Sequence, residues 1–164
     1  MAPLSPRAWR FAEVGLAVAV VVLDLATKAL VRRRLPLHEV HEIIPGLLSL
    51  VHGRNPGMAF GMFSGGGIPA QKVVLALLSA AVLLLVVLHW RRLGAGERLL
   101  RIAFPLIAGG AVGNLIERVR LGYVTDFVHV YWGRHQWPDF NVADSAITVG
   151  IVLLLIDAVR GVRR

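Results

Sequence analysis

Four apolar runs divide the chain, and each is long enough to cross a bilayer as a helix. They cover residues 11–31, 70–90, 99–117 and 142–159. A helix rises about 1.5 Å per residue, so about 20 apolar residues span the ~30 Å hydrocarbon core. The apolar residues come in unbroken runs rather than at amphipathic spacing. Hydrophobic residues make up 56% of the 164 positions, too many for a soluble domain of this size, and mean hydropathy is +0.67. The pattern predicts a mainly α membrane protein, one domain over residues 1–164, with four transmembrane helices and two longer regions outside them, at about 32–69 and 118–141.

The first run does not read as a cleavable leader. It is too long, has no small-x-small exit, and carries Asp24 and Lys28, so it reads as a retained span. Arg32, Arg33 and Arg34 close it, and Pro36 stops the helix. Residues 37–69 alternate modestly and are punctuated by Pro45, Gly46, Gly53 and Pro56, which predicts short strands and turns near the membrane surface, with a flexible tail at Ser64–Gly67. The stretch 124–132 reads as β.

Net charge is +8, but the arginines flank apolar runs, which suits anionic headgroups rather than nucleic acid. With four spans both termini share one side, together with Arg7, Arg10, Arg91, Arg92, Arg98, Arg101, Arg160, Arg163 and Arg164. The positive-inside tendency makes that side cytoplasmic. Arg32–Arg34, Arg54, Lys72, Arg118, Arg120 and Arg134 fall on the other side and oppose it.

This topology brings the end of span one, the start of span two, the end of span three and the start of span four to one face. The unusual polar residues sit at just those places: Asp24 and Lys28, Asn55, Asn114, Glu117 and Arg118, Asp126, Asn141 and Asp144. The other face offers arginine, Glu97 and glycine and reads as an anchor. Each polar residue has a plain alternative. Asp24 and Lys28, at i and i+4, suit a structural ion pair. Arg118 suits a snorkelling cation, Asp144 an acid complementing a helix dipole, and Asp126 a strand-edge or turn residue. Their convergence favours a site, because ionisable groups at membrane depth are costly.

Cysteine is absent, so no thiol nucleophile, disulfide or cysteine metal site is available. The serines lack a nucleophile-elbow context. His38 and His41, with Glu39 and Glu42, stand three apart beside Pro36 rather than four apart on a helix, so they read as a solvated loop, and no metal or other cofactor is expected. His129 stands three residues from Asp126 and in a strand points to the opposite face, a structural or surface position. What remains is the pair Asp126 and Asp144. Two close carboxyls share a proton, one activating water while the other polarises a carbonyl. At a membrane edge such a pair suits peptide cleavage, with nearby Asn and Arg orienting it or holding substrate.

These residues fall in five blocks: Asp24-Leu25-Ala26-Thr27-Lys28; Asn55-Pro56-Gly57-Met58-Ala59-Phe60-Gly61; Gly109-Gly110-Ala111-Val112-Gly113-Asn114-Leu115-Ile116-Glu117-Arg118; Val124-Thr125-Asp126-Phe127; and Phe140-Asn141-Val142-Ala143-Asp144-Ser145. In order and spacing the chain resembles the bacterial lipoprotein signal peptidase (signal peptidase II) family. The resemblance implies four membrane helices with a small periplasmic β-cradle and a surface helical loop. It implies an aspartyl endopeptidase of the bacterial inner membrane that cuts prolipoproteins before a diacylglyceryl-modified cysteine at the periplasmic face. Asp126 and Asp144 are then the catalytic pair, supported by Asp24, Lys28, Asn55, Asn114, Arg118 and Asn141. The implied partners are lipobox-bearing precursors, membrane lipids and globomycin-type inhibitors, and the chain is expected to act as a monomer. The family usually has Asp where Glu117 stands and commonly Gln where Leu25 stands; no role falls to Glu117 on this reading.

Two other readings are weaker. A proton-coupled transporter using Asp24 and Lys28 needs polar residues through the membrane depth, and spans two and four offer only Ser79 and Thr148 away from their ends. An assembly factor packing through Gly109 and Gly113 leaves the aspartate pair unexplained.

Overall fold

In the computed structural model, which describes residues 6–57, 69–94 and 96–162, four helices carry a small antiparallel sheet at one end. They are α1 (Pro6–Arg34), α2 (Pro69–Trp90), α3 (Leu100–Leu121) and α4 (Val142–Val162). The strands are β1 (Val40–Ile44), β2 (Leu48–Asn55), β3 (Val124–Trp132) and β4 (His135–Gln136). Three helical stretches are long and apolar enough to cross a membrane: Trp9–Arg34, Leu100–Leu121 and Val142–Gly161; in α2 the described apolar stretch, Ala76–Trp90, is shorter. The glycine-rich tail at 64–67 lies outside the described residues, and the surface helical loop that the resemblance implies is not among the described elements.

The helices overrun the apolar runs because their ends are polar but still helical. α1 takes Arg32, Arg33 and Arg34 into its last turn, where cations face the negative end of the helix dipole. α3 continues past Glu117 to Leu121 and stops at Gly122, whose φ of 77° closes a left-handed cap onto the Arg118 carbonyl.

α3 is the central helix and packs against α1, α2 and α4. Its glycines set the approach. A Cβ on Gly109 would lie 2.7 Å from the Ala17 carbonyl oxygen of α1, and one on Gly113 would lie 2.5 Å from Asp24 Oδ2. Gly110, between them, meets the backbone of Ala143 at the start of α4. Three bare positions on one helix thus admit two neighbours. Outward, α1 and α4 expose Val18, Val22, Val152 and Leu155, the reverse of a soluble surface and suited to lipid.

The sheet runs in the order β1-β2-β3-β4 with all pairs antiparallel. β2 and β3 are in register at Gly53–Asp126, Arg54–Thr125 and Asn55–Val124, with an irregularity between Leu50 and Gly53. The other edge of β3 is closed by a bridge between Val128 and Phe140. Phe127 and Val128 both donate backbone hydrogen bonds to the Phe140 carbonyl, at 3.0 and 2.8 Å. Asn141 follows Phe140, so β3 is tied directly to the start of α4.

Candidate active site

The first turn of α4 is built as a capping box. Asn141 is the cap: its Oδ1 accepts the Asp144 N–H at 2.9 Å. Asp144 reaches back, its Oδ2 accepting the Asn141 N–H at 3.2 Å. The Ala143 N–H donates to Asp24 Oδ1 of α1 at 2.9 Å. Of the free N–H groups that a helix start leaves, those of Asn141, Ala143 and Asp144 are here satisfied by the very side chains that form the polar cluster.

From the cap, hydrogen bonds run both ways. Asn141 Nδ2 donates to Asp126 Oδ1 at 2.7 Å and approaches Asn114 Oδ1 at 3.3 Å. Asn114 Nδ2 donates to Asp144 Oδ1 at 2.8 Å. Lys28 Nζ donates to Asn114 Oδ1 at 2.8 Å and to Asp24 Oδ2 at 2.7 Å. Asn55 Nδ2 donates to Asp126 Oδ2 at 2.9 Å, and Asn55 Oδ1 accepts the Gly57 N–H at 2.9 Å. Asp24, Lys28, Asn55, Asn114, Asn141, Asp126 and Asp144 therefore form one connected network. It draws on α1, β2, α3, β3 and α4 and binds both aspartates through Asn141.

Lys28 and Asp24 are fully buried, and Asp126 is 4% exposed, whereas Asp144 is half-buried. Burial pushes the Asp126 carboxyl up to about 6, and the neighbouring Asp144 charge adds to the rise against the lowering effect of the Asn55 and Asn141 hydrogen bonds. The arrangement holds one carboxyl that keeps its proton into mildly acidic conditions beside a second that has two N–H donors. No group of three or more His, Asp or Glu side chains among the described residues is placed to hold a metal ion. His38 lies in a turn with φ of 65° and His41 in β1.

Against known proteins, residues 16–160 match the family described as Signal peptidase (SPase) II. The chain belongs to the signal peptidase II family. It is similar to a lipoprotein signal peptidase of Geobacter metallireducens, 42% identical over 156 residues and covering 95% of this chain and 94% of the relative. It is similar to one of Pseudomonas putida, 41% identical and covering 94% and 91%. Its fold matches a solved bacterial membrane enzyme with a TM-score of 0.81 at 29% identity, covering 91% of this chain and 88% of that one. A second solved bacterial membrane enzyme matches with a TM-score of 0.79 at 28% identity, over 90% and 92% of the two chains. The chain is thus a peptidase with several membrane helices.

Arg118 is placed apart from the peptidase's polar network. Its Nη1 donates to Ser79 Oγ of α2 at 3.0 Å, and its Nε is buried without a hydrogen-bond partner among the described residues. A residue four places beyond Asn114 stands about 40° further round the helix, and its long side chain follows that turn towards α2. Glu117, by contrast, is inside the cluster although the sequence reading gave it no role. It is 2% exposed, bonds Thr125 and Arg32, and lies 3.7 Å from Lys28 Nζ. Its signal was the spacing: three residues after Asn114, it shares that helix face.

His129 pairs with Asp139 at 2.7 Å and stacks on Tyr131, away from the aspartates. The far end of the helices holds more than an arginine anchor. Glu13, 2% exposed, accepts from Arg101 at 2.5 Å and from the Trp90 indole at 2.9 Å. That buried acid sits inside the first apolar run, where one polar residue among many apolar ones leaves the span's hydropathy almost unchanged.

Proposed function

We propose that the peptidase is an aspartyl endopeptidase that removes the signal peptide from prolipoproteins, cutting before the lipid-modified cysteine. The observation that carries this reading is Asn141, which hydrogen-bonds both Asp126 and Asp144 and brings two acids from separate elements into one site. Asp126, the more buried, holds the proton and polarises the scissile carbonyl. Asp144, held by Asn114 and the Asn141 N–H, takes a proton from the attacking water. Asp24 and Lys28 fix Asn114 and the start of α4, and Asn55 fixes Asp126 from β2. Arg118, at the α2 side, contacts substrate rather than the acids.

The lipoprotein signal peptidase names of the relatives from Geobacter metallireducens and Pseudomonas putida support the substrate class. On this reading the chain is one membrane domain with α2 as a fourth span, both termini in the cytoplasm, and the sheet and aspartates at the periplasmic face of the inner membrane. It acts as a monomer without cofactor, and globomycin-type peptides occupy the same site. Purified enzyme and a synthetic diacylglyceryl-modified precursor test the proposal. Wild-type enzyme should cleave before the modified cysteine and be blocked by globomycin, and Asp126→Asn and Asp144→Asn should be inserted, folded and inactive. Wild-type rates in both variants would end the proposal.

A further inference from the structure

Glu117 closes a ring of hydrogen bonds that no part of the proposed mechanism uses. Its Oε2 accepts the Thr125 N–H at 2.7 Å and its Oε1 accepts the Thr125 hydroxyl at 3.2 Å. Arg32 of α1 donates to Glu117 Oε1 and also to Thr125 Oγ1 at 3.0 Å. Thr125 is fully buried and Glu117 nearly so. A buried carboxylate is tolerable only when fully partnered, and here three donor groups and the Lys28 ammonium at 3.7 Å surround it.

The residue held in this way is the one before Asp126. On its other side the chain is less constrained by β2, because the β2–β3 register breaks between Leu50 and Gly53. Asp126 pairs with Gly53, but Phe127 takes its backbone partner from Phe140 instead. The backbone carrying Asp126 is therefore fixed from α1 and α3 on its N-terminal side by a side-chain clamp rather than by the sheet alone.

We infer that Glu117 is a positioning residue for the reaction: with Arg32 it clamps Thr125 and so sets the direction of the Asp126 carboxyl. This rests on the reading of Asp126 as catalytic. The longer glutamate gives the carboxylate the reach to hold both hydrogens of Thr125 while still meeting Arg32. A role confined to holding the fold together predicts that damage at Glu117 lowers the amount of folded enzyme and nothing else. A positioning role predicts that the folded enzyme binds precursor normally and turns it over slowly, since small errors in the placing of a reacting group are expensive in rate.

Steady-state cleavage of a synthetic lipidated precursor by the full chain separates the two, with kcat normalised to folded enzyme. Glu117→Gln removes the charge and puts a donor against Thr125 or Arg32. It should lower kcat by roughly tenfold to a hundredfold with KM within about twofold of wild type. Glu117→Asp, which keeps a carboxylate for Arg32, should recover part of that loss. Thr125→Val keeps the volume but removes the hydroxyl and should lower kcat in the same way, to a smaller extent. Wild-type kcat in Glu117→Gln, or a loss carried by KM, overturns the inference. Should Glu117→Gln not fold, wild-type kcat in Thr125→Val overturns it instead. Asp126→Asn is the reference arm. If it is inactive, these outcomes judge Glu117 alone; if it cleaves, the assignment of Asp126 fails and the role of Glu117 falls with it.

Discussion

The side-chain amide of Asn141 lies 2.7 Å from Asp126 Oδ1 and points its hydrogen at that oxygen. The same side chain caps α4 through its carbonyl oxygen. Substitution can separate the two jobs. Serine is also a good cap but cannot reach Asp126. In Asn141→Ser the helix start should survive with a stability loss of about 1–2 kcal/mol, while kcat falls roughly a hundredfold or more, as on removing one oriented donor from a reacting group. Thermal unfolding and cleavage kinetics on one preparation check both halves.

The Asp126 carboxyl is raised by burial to about 6, which fixes a direction for pH effects. In the native state it keeps a proton that the unfolded chain releases near 3.8. Between these values the native state binds more protons, so this group's contribution to stability is full below about 4 and is lost as pH rises through about 6. Asp126→Asn should therefore be more stable than wild type above pH ~6, by about 3 kcal/mol, and should unfold with less pH dependence. On the proposed mechanism cleavage needs the protonated acid, so kcat/KM should decline as pH rises through about 6. Unfolding midpoints and initial rates across the pH range measure the two effects.

Lys28 is the buried cation that Asp24 and Asn114 share. Lys28→Met leaves Asp24 as an unpaired buried carboxylate and should cost about 3–5 kcal/mol. Adding Asp24→Asn removes that charge while preserving an acceptor for the Ala143 N–H. The double variant should regain much of the stability but little of the activity, because Asn114 is still without its anchor. A double-mutant cycle on unfolding free energy gives the coupling.

Gly113 leaves room for the Asp24 carboxyl, and a methyl group there would sit 2.5 Å from Oδ2. Gly113→Ala should push Asp24 off the Ala143 N–H and cost about 1–3 kcal/mol, with a parallel loss of cleavage. An alanine at Gly15, where a Cβ meets nothing within 4 Å, should leave both unchanged. Melting temperature and turnover of the two variants side by side provide the comparison.

Much of this molecule could be read before its coordinates. The apolar runs placed the helices because burying backbone in lipid demands unbroken apolar length, and β3 spans the same residues, Val124–Trp132, that read as β in the sequence. The convergence of Asp24, Asn55, Asn114, Asp126, Asn141 and Asp144 followed from reversing direction at each successive apolar run, which brings the end of one and the start of the next to the same face. What could not be read was direction. Asn114 and Arg118 share a helix face by spacing, yet one meets Asp144 and the other Ser79, because a long side chain chooses its partner by packing. Glu117 and Glu13 were passed over for another reason. Spacing put Glu117 on the Asn114 face, but the cations that mark either acid as a buried partner, Arg32 and Arg101, lie 85 and 88 positions away.

The capping box has a consequence for how such a sequence can change. In most proteins the residue that begins a helix and the residues that do the chemistry drift separately, and a poor cap is forgiven by better packing elsewhere. Here Asn141 and Asp144 satisfy each other's backbone. On the proposed mechanism, any replacement that spoils initiation of the last helix also disarms the blade, and a variant hunting for a new cutting preference has to look elsewhere on the molecule.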